Sequence, residues 1–261
     1  MIYVNENLNV TVILIKYVNF NCNFSYKHYL EVLDYAKKKY SIGTLKEFHK
    51  LQKKQKFIIL RHDVDFSLDY ALKLANLENK HDVRSTYFVL LHSQYYNALS
   101  NHNISIINKI SELGHEIGLH YDTEFMPKSS KKINEQILKE IAIISDIIGM
   151  KVVSIAQHNV TISPVLNPNK IKGFMNTQDP EISKMSVYIS DSVQKWRRGC
   201  MCNHIGKENR LQVLTHPMWW TKDSKSRKNI LDDFRIMEFM KIKDELKSTH
   251  DIHTTYLENL T

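Results

Sequence analysis

The stretch IILRHDVDFSLDY, residues 58–70, decides how this chain is read. An apolar run stops at Leu60, and an arginine, a histidine and two aspartates one residue apart follow at once. Ser67 then opens a pattern in which Leu68, Ala71, Leu72 and Ala75 recur at helical spacing. A strand that runs out into carboxylates and leads straight into a helix is the repeating unit of parallel α/β folds. On an extended backbone Asp63 and Asp65 share one face. Two carboxylates facing one space repel, unless a cation neutralises them or one of them takes a proton.

The same unit recurs along the chain. Upstream, Ser25 can cap a helix reaching residue 40, with Tyr29, Leu33, Ala36 and Tyr40 on one face, and residues 57–60 form a compact apolar strand. STYFVLL, residues 85–91, is aromatic and β-branched and reads as a second strand. Ile104, Ile107, Ile110 and Leu113 mark a helix ended by Gly114, after which EIGL forms a short third strand. Isoleucines at 133, 137, 141, 144 and 148 stripe a long helix with Gly149 as its stop. KVVSIA, SVYIS and LQVLT supply the fourth, fifth and sixth strands, and a final amphipathic helix begins near Ile230. Strands alternating with helices imply a parallel sheet, closed as an α/β barrel or open and doubly wound.

The bulk composition is that of an ordinary globular domain. The chain has 261 residues, 43% hydrophobic and 25% charged, enough for one large core and against intrinsic disorder. A net charge of +8 suits an anionic partner, although the lysines are scattered along helices as on a solvated exterior. Nucleic-acid binding would rest on charge alone, because no recognition motif accompanies the lysines. Three cysteines (Cys22, Cys200 and Cys202) make no disulfide framework and point to a reducing compartment. A single C-x-C without a second pair reads as two incidental thiols. The first twenty residues lack the basic region and cleavage site of an export signal, and no segment has the length of a membrane span. A cytoplasmic location is expected.

Function is legible in what the strands end on. Functional groups of parallel α/β folds gather beyond the carboxyl ends of the strands. Here the apolar runs deliver Asp63 with Asp65, His120, His158, Asp191 and His216. Turn or cap roles explain any one of these, but poorly explain all of them in one layer. A divalent metal held by a carboxylate and imidazoles, with an open position for water, is a hydrolytic arrangement. The second carboxylate could then take the proton of that water, and a histidine across the site could protonate the leaving group.

LRHDVD, ELGHEIGLHYD, YISDS with KWRRG, and LTHPMWW together resemble the polysaccharide deacetylase superfamily, the NodB-like carbohydrate esterases of family 4. The divergent deacetylase-like proteins of bacterial surface-polysaccharide synthesis are the most similar branch. The resemblance runs from about residue 24 to residue 220. It implies a distorted parallel (β/α) barrel, seven-stranded, and metal-dependent removal of an N-acyl group from an amino sugar or glycan precursor. Asp63 would be the catalytic base, Asp65 and His120 metal ligands, and His216 the catalytic acid. Asp191 and Trp196 match the late element that supports the base and walls the pocket, with Arg197 beside them as an anion contact. Trp219 could stack on a sugar ring, while Trp220 fits the core better.

One departure matters. Four residues after His120, where the family has its second metal histidine, this chain has Glu124. Asp65, His120 and Glu124 make a chemically competent set. His158, which ends the strand where the family places an arginine-proline element, is preferred because neutral imidazole is the commoner zinc ligand. The expected cofactor is a divalent ion, zinc first. The expected partner is a carbohydrate, as a nucleotide-linked or lipid-linked precursor. The rival reading is a catalytically altered subunit that binds a sugar precursor or scaffolds a glycan-synthesis complex. Residues 1–55 are expected as an accessory cap and 56–261 as the barrel domain. His115 and His62 are expected in structural roles, and Arg61 and Arg84 are left between phosphate binding and carboxylate pairing.

Overall fold

A computed structural model describes residues 20–126, 129–159 and 171–258. The expectation that residues before 20 belong to an accessory cap lies outside the described residues.

The strand at the centre of the sequence reading is longer than its apolar run. β2 spans Phe57–Val64 and is buried throughout. Its even-numbered residues Ile58, Leu60 and Val64 pack against helices, whereas Phe57 and Ile59 face a separate interior cluster with Phe88 and Ala156. This alternation is the period of an extended chain with both faces covered. Polar Arg61 and Asp63 therefore continue the inner face, and the pairing runs on through them to the neighbouring strands.

Every paired strand is parallel. The sheet path runs β6 (Met175–Asn176), β5 (Ser154–Gln157), β4 (Glu116–Tyr121), β3 (Thr86–Leu90), β2, β8 (Arg210–Thr215) and β7 (Val187–Ser190). β1 (Ser41–Gly43) joins as an eighth strand beside the first half of β2. The distorted parallel (β/α) barrel is thus a curled seven-strand path whose outermost strands, β6 and β7, do not pair with each other among the described residues.

Helices cover the outside. α1 (Tyr26–Lys37) is capped by Ser25, whose hydroxyl accepts from the His28 amide. Its Tyr29 and Leu33 share a core with Ile58, Leu60 and Val213, and with Ile230 from α7 (Arg227–Glu258). α3 (Leu68–Lys80), α4 (Asn101–Glu112) and α5 (Ser130–Ile148) bury Ala71, Ile107 and Ile137 against Tyr87, Leu119 and Ile155. Gly149, with φ 62°, ends α5 in the left-handed conformation that glycine tolerates. The interior is closed at one end by Leu45 and by Phe48 and Leu51 of α2 (Phe48–Leu51), and by Ile182 of α6 (Pro180–Met185).

β1 pairs with β2 across residue 56, and α1 buries its apolar face in the same core as the later strands.

Candidate active site

Strand alternation builds the site. Asp63 lies on the inner face of β2, and Asp65 follows at the strand's carboxyl end. His120 is on β4, and His158 follows β5 in a register that pairs His120 with Ala156. Asp191 and His216 follow the neighbouring strands β7 and β8. Asp63, Asp65, His120, His158 and His216 all open into one cavity of roughly 600 Å³.

Asp65, His120 and His158 each offer a ligand atom within 4.8 Å of the others. Asp65 Oδ1 lies 3.3 Å from His120 Nε2 and 3.5 Å from His158 Nδ1, and the two ring nitrogens are 3.2 Å apart. The His120 Nδ1–H donates to the Ala156 carbonyl at 3.0 Å, which leaves the Nε2 lone pair facing the cluster. Asp65 Oδ1 is buried yet accepts no hydrogen bond within bonding geometry. A carboxylate oxygen without a donor, facing imidazole nitrogens, is the donor set a divalent cation takes. Burial would raise the Asp65 pKa, but His120 and His158 beside it, with the charge of His216, hold it well below the usual range. Glu124 is exposed and stands outside this cluster; its backbone N–H donates to Asp122.

Asp63 sits beside the cluster, with Oδ2 3.6 Å from His120 Nε2. Arg61, two residues earlier on the same face, donates to both carboxylate oxygens from Nη2 at 2.7 Å. Burial alone would raise the Asp63 pKa, and the Arg61 guanidinium with His120 and His216 overrides it downward. Asp63 is therefore ionised and able to accept a proton. Arg61 also stacks on Phe88 and donates to Gln212, so the choice left open for it is resolved as carboxylate pairing.

His216 stands across from the cluster, its Nε2 3.7 Å from Asp65 Oδ2. Its Nδ1–H donates to Asp191 at 2.7 Å, and its backbone N–H donates to the same carboxylate at 3.0 Å. Burial disfavours the imidazolium, but the Asp191 hydrogen bond and charge prevail and push the pKa up to about 9. His216 thus carries a proton at neutral pH.

Two of the residues expected at the substrate do not line the cavity. Asp191 is fully buried and lies behind His216, where it also accepts from Trp220 Nε1 at 2.9 Å. Trp196 stacks on Phe24 and meets Trp220 edge-on, so it belongs to the core beside the site and does not wall the cavity. Arg197 and Trp219 do line it, as do Tyr188, Gln157, Gln178 and Gln212, which the sequence reading did not single out. Gln212 could have been found from alternation, since it shares a face with Leu214 and His216. His115 and His62 sit on the outer side of the sheet. His115 accepts from Ser85 N and donates to the Ala75 carbonyl, and His62 bonds Thr215 and Glu78.

No family model matches the chain, and no curated protein matches it. Solved structures do. A chitin deacetylase from Colletotrichum lindemuthianum is 18% identical with a TM-score of 0.44, over 69% of this chain and 81% of that one. A family 4 acetyl xylan esterase from Clostridium thermocellum, solved with cobalt, is 17% identical with a TM-score of 0.43, over 61% of this chain and 73% of that one. A CE4 family pseudoenzyme from Bacillus anthracis is 19% identical with a TM-score of 0.41, over 72% of this chain. The chain spans 62% of that pseudoenzyme's length, and 64% of a mutant of it with restored enzymatic activity.

Proposed function

We propose that this chain is a metal-dependent hydrolase that removes an N-acyl group from an amino sugar or glycan precursor. The observation that carries the reading is the convergence of Asp65, His120 and His158 on one point, with Asp63 on one side and His216 on the other. A divalent cation held by those three residues, zinc by the donor set, would acidify a bound water and polarise the acyl oxygen. Asp63, kept ionised by Arg61, takes a proton from the attacking water. His216, kept protonated by Asp191, hands its proton to the departing amine nitrogen. Proton acceptor and donor thus flank the place where the scissile bond must lie.

The cavity fits a sugar. Its lining includes the rings of Trp219 and Tyr188 and amide side chains from Gln157, Gln178 and Gln212, a mixture suited to sugar carbons and hydroxyls. Arg197 at the exposed rim favours an anionic substituent, such as the phosphate of a nucleotide-linked or lipid-linked precursor, in a surface-polysaccharide pathway.

The test is elemental analysis of the full chain together with acetate and formate release from N-acylated amino sugars and nucleotide sugars. Metal-dependent release is expected, abolished in Asp63→Asn with metal still bound, and lost in Asp65→Ala together with the metal of the Asp65, His120 and His158 cluster. Full metal occupancy of that cluster in Asp65→Ala would overturn the ligand set. A chain that binds these sugars without metal and releases no acyl group would instead be the non-hydrolytic sugar-binding subunit.

A further inference from the structure

Cys200 and Cys202, read from sequence as two incidental thiols, come together with Cys22 and with His28, whose ring packs against Trp220. Cys22 lies ahead of α1, His28 is in its first turn, and Cys200 and Cys202 belong to the connection between β7 and β8. Cys22 and Cys202, 180 positions apart, have their sulfurs 2.9 Å from each other, and His28 Nε2 is 3.2 Å from Cys200 Sγ. All four ligand atoms lie within 4.8 Å of one another. A tetrahedral zinc with Zn–S bonds of about 2.3 Å sets its sulfurs about 3.8 Å apart, so the four groups are near a coordination shell already. His28, Cys200 and Cys202 are 2%, 4% and 8% exposed.

Crowding explains why a cation belongs there. Neutral thiols are weak hydrogen-bond donors and gain little from meeting in one place. Thiolates at this spacing repel one another, and burial away from water disfavours their charge further. A divalent ion reverses both effects, because it takes the sulfurs as thiolates and neutralises their charge. We propose that Cys22, His28, Cys200 and Cys202 form a closed, structural zinc site that pins the segment ahead of α1 to the β7–β8 connection. On binding, each cysteine releases its proton to solvent, His28 binds as neutral imidazole through Nε2, and no oxidation occurs. Four protein ligands leave no position for substrate water, so the site holds structure and does no chemistry. The His28 ring stacks on Trp220 at 6.5 Å, and Trp220 in turn holds Asp191. The ion would therefore brace the wall behind His216.

Cobalt(II) titration of the reduced, metal-stripped full chain tests this, because the catalytic cluster contains no sulfur. A near-ultraviolet thiolate-to-cobalt band is expected in the wild type and in Asp65→Ala. It should vanish in the Cys200→Ser, Cys202→Ser double variant, whose zinc content also falls by one equivalent. Cys22→Ser, at the exposed edge, should weaken the band while circular dichroism shows the fold kept. Absence of the band in the folded wild type overturns the site, whatever the variants do. So does finding Cys22 and Cys202 joined as a disulfide in freshly purified chain denatured without reductant.

Discussion

Arg61 and Asp63 are two residues apart on one strand, and the arginine's Nη2 stands 2.7 Å from both oxygens of the aspartate. Both are buried, so each is the other's main compensation for leaving water. Arg61→Leu should destabilise the chain by about 3–5 kcal/mol, because it removes the main partner of a buried carboxylate. Adding Asp63→Asn to that background should restore part of the loss. Chemical denaturation of the two single variants and the double variant checks this. Strictly additive losses would show that the pair is not coupled.

Asp191 acts through His216. It fixes the ring by Nδ1 and the backbone by its amide, and Trp220 holds the carboxylate in turn. Asp191→Asn should lower kcat on the order of 10²-fold, by letting the imidazole tilt and by no longer favouring its protonated form, with KM and metal content near wild type. Trp220→Phe, which removes the Nε1 donor and part of the buried ring, should lie between. A rise in KM with kcat unchanged in Asp191→Asn would return Asp191 to the substrate and reject the positioning role.

Much of this was legible because strand alternation and helical periodicity are local signals. The parallel α/β class, six strands and the main helices follow from them, as does the delivery of Asp63, His120, His158 and His216 to one layer. The losses have physical causes. β1 and β6 are three and two residues long, too short for any periodicity to register. β2 continues four residues past its apolar run, because its inner face is polar: Arg61 pairs in register with Thr86, and Thr86 with Glu116. The family resemblance assigns Trp196 to the pocket wall, but a motif match says nothing of which side of the wall a ring falls on. Cys22 and His28 could not be joined to Cys200 and Cys202 by spacing, since only tertiary packing brings them together.

The third ligand divides Glu124 from His158. Glu124 is exposed, while His158 Nδ1 faces both Asp65 and His120. His158→Ala should weaken metal binding at this cluster by at least about 100-fold, with Glu124→Ala close to wild type. Competition titration against a chelator measures both. The reverse order would put Glu124 in the shell.

Glu78 on α3 holds a second buried polar centre, outside the sheet. It accepts from Tyr29, Ser85 and Tyr87 and pairs with His62 at 2.9 Å. Burial would raise its pKa, but the charge and hydrogen bond of His62, with His115 and Tyr29, bring it down to about 2 from 4.5. A depressed carboxylate stabilises the fold fully above its unfolded value. That contribution is lost as pH falls from about 4.5 toward 2. Glu78→Gln should be less stable at neutral pH, and the gap to wild type should narrow across that acid window. Melting curves that stay parallel from neutral to acid pH would contradict the assignment.

Gly118 sits mid-strand in β4, two residues before His120, where no turn or positive φ demands glycine. Space demands it. A Cβ there would lie 2.5 Å from the Phe88 ring and 2.9 Å from the Ser154 carbonyl oxygen. Gly118→Ala should therefore cost about 1–3 kcal/mol through overpacking. Phe88 pairs with Asp63 in register and carries Arg61 over its face, while Ser154 begins the strand that leads to His158. Strain at this position should thus reach the Asp65, His120 and His158 cluster and weaken metal binding as well as stability. Phe88→Leu in the same background can relieve the ring contact but not the carbonyl one, so the rescue should be partial. Calorimetry with chelator competition on both variants decides it: complete rescue by Phe88→Leu would assign the whole conflict to the ring and clear the β5 backbone.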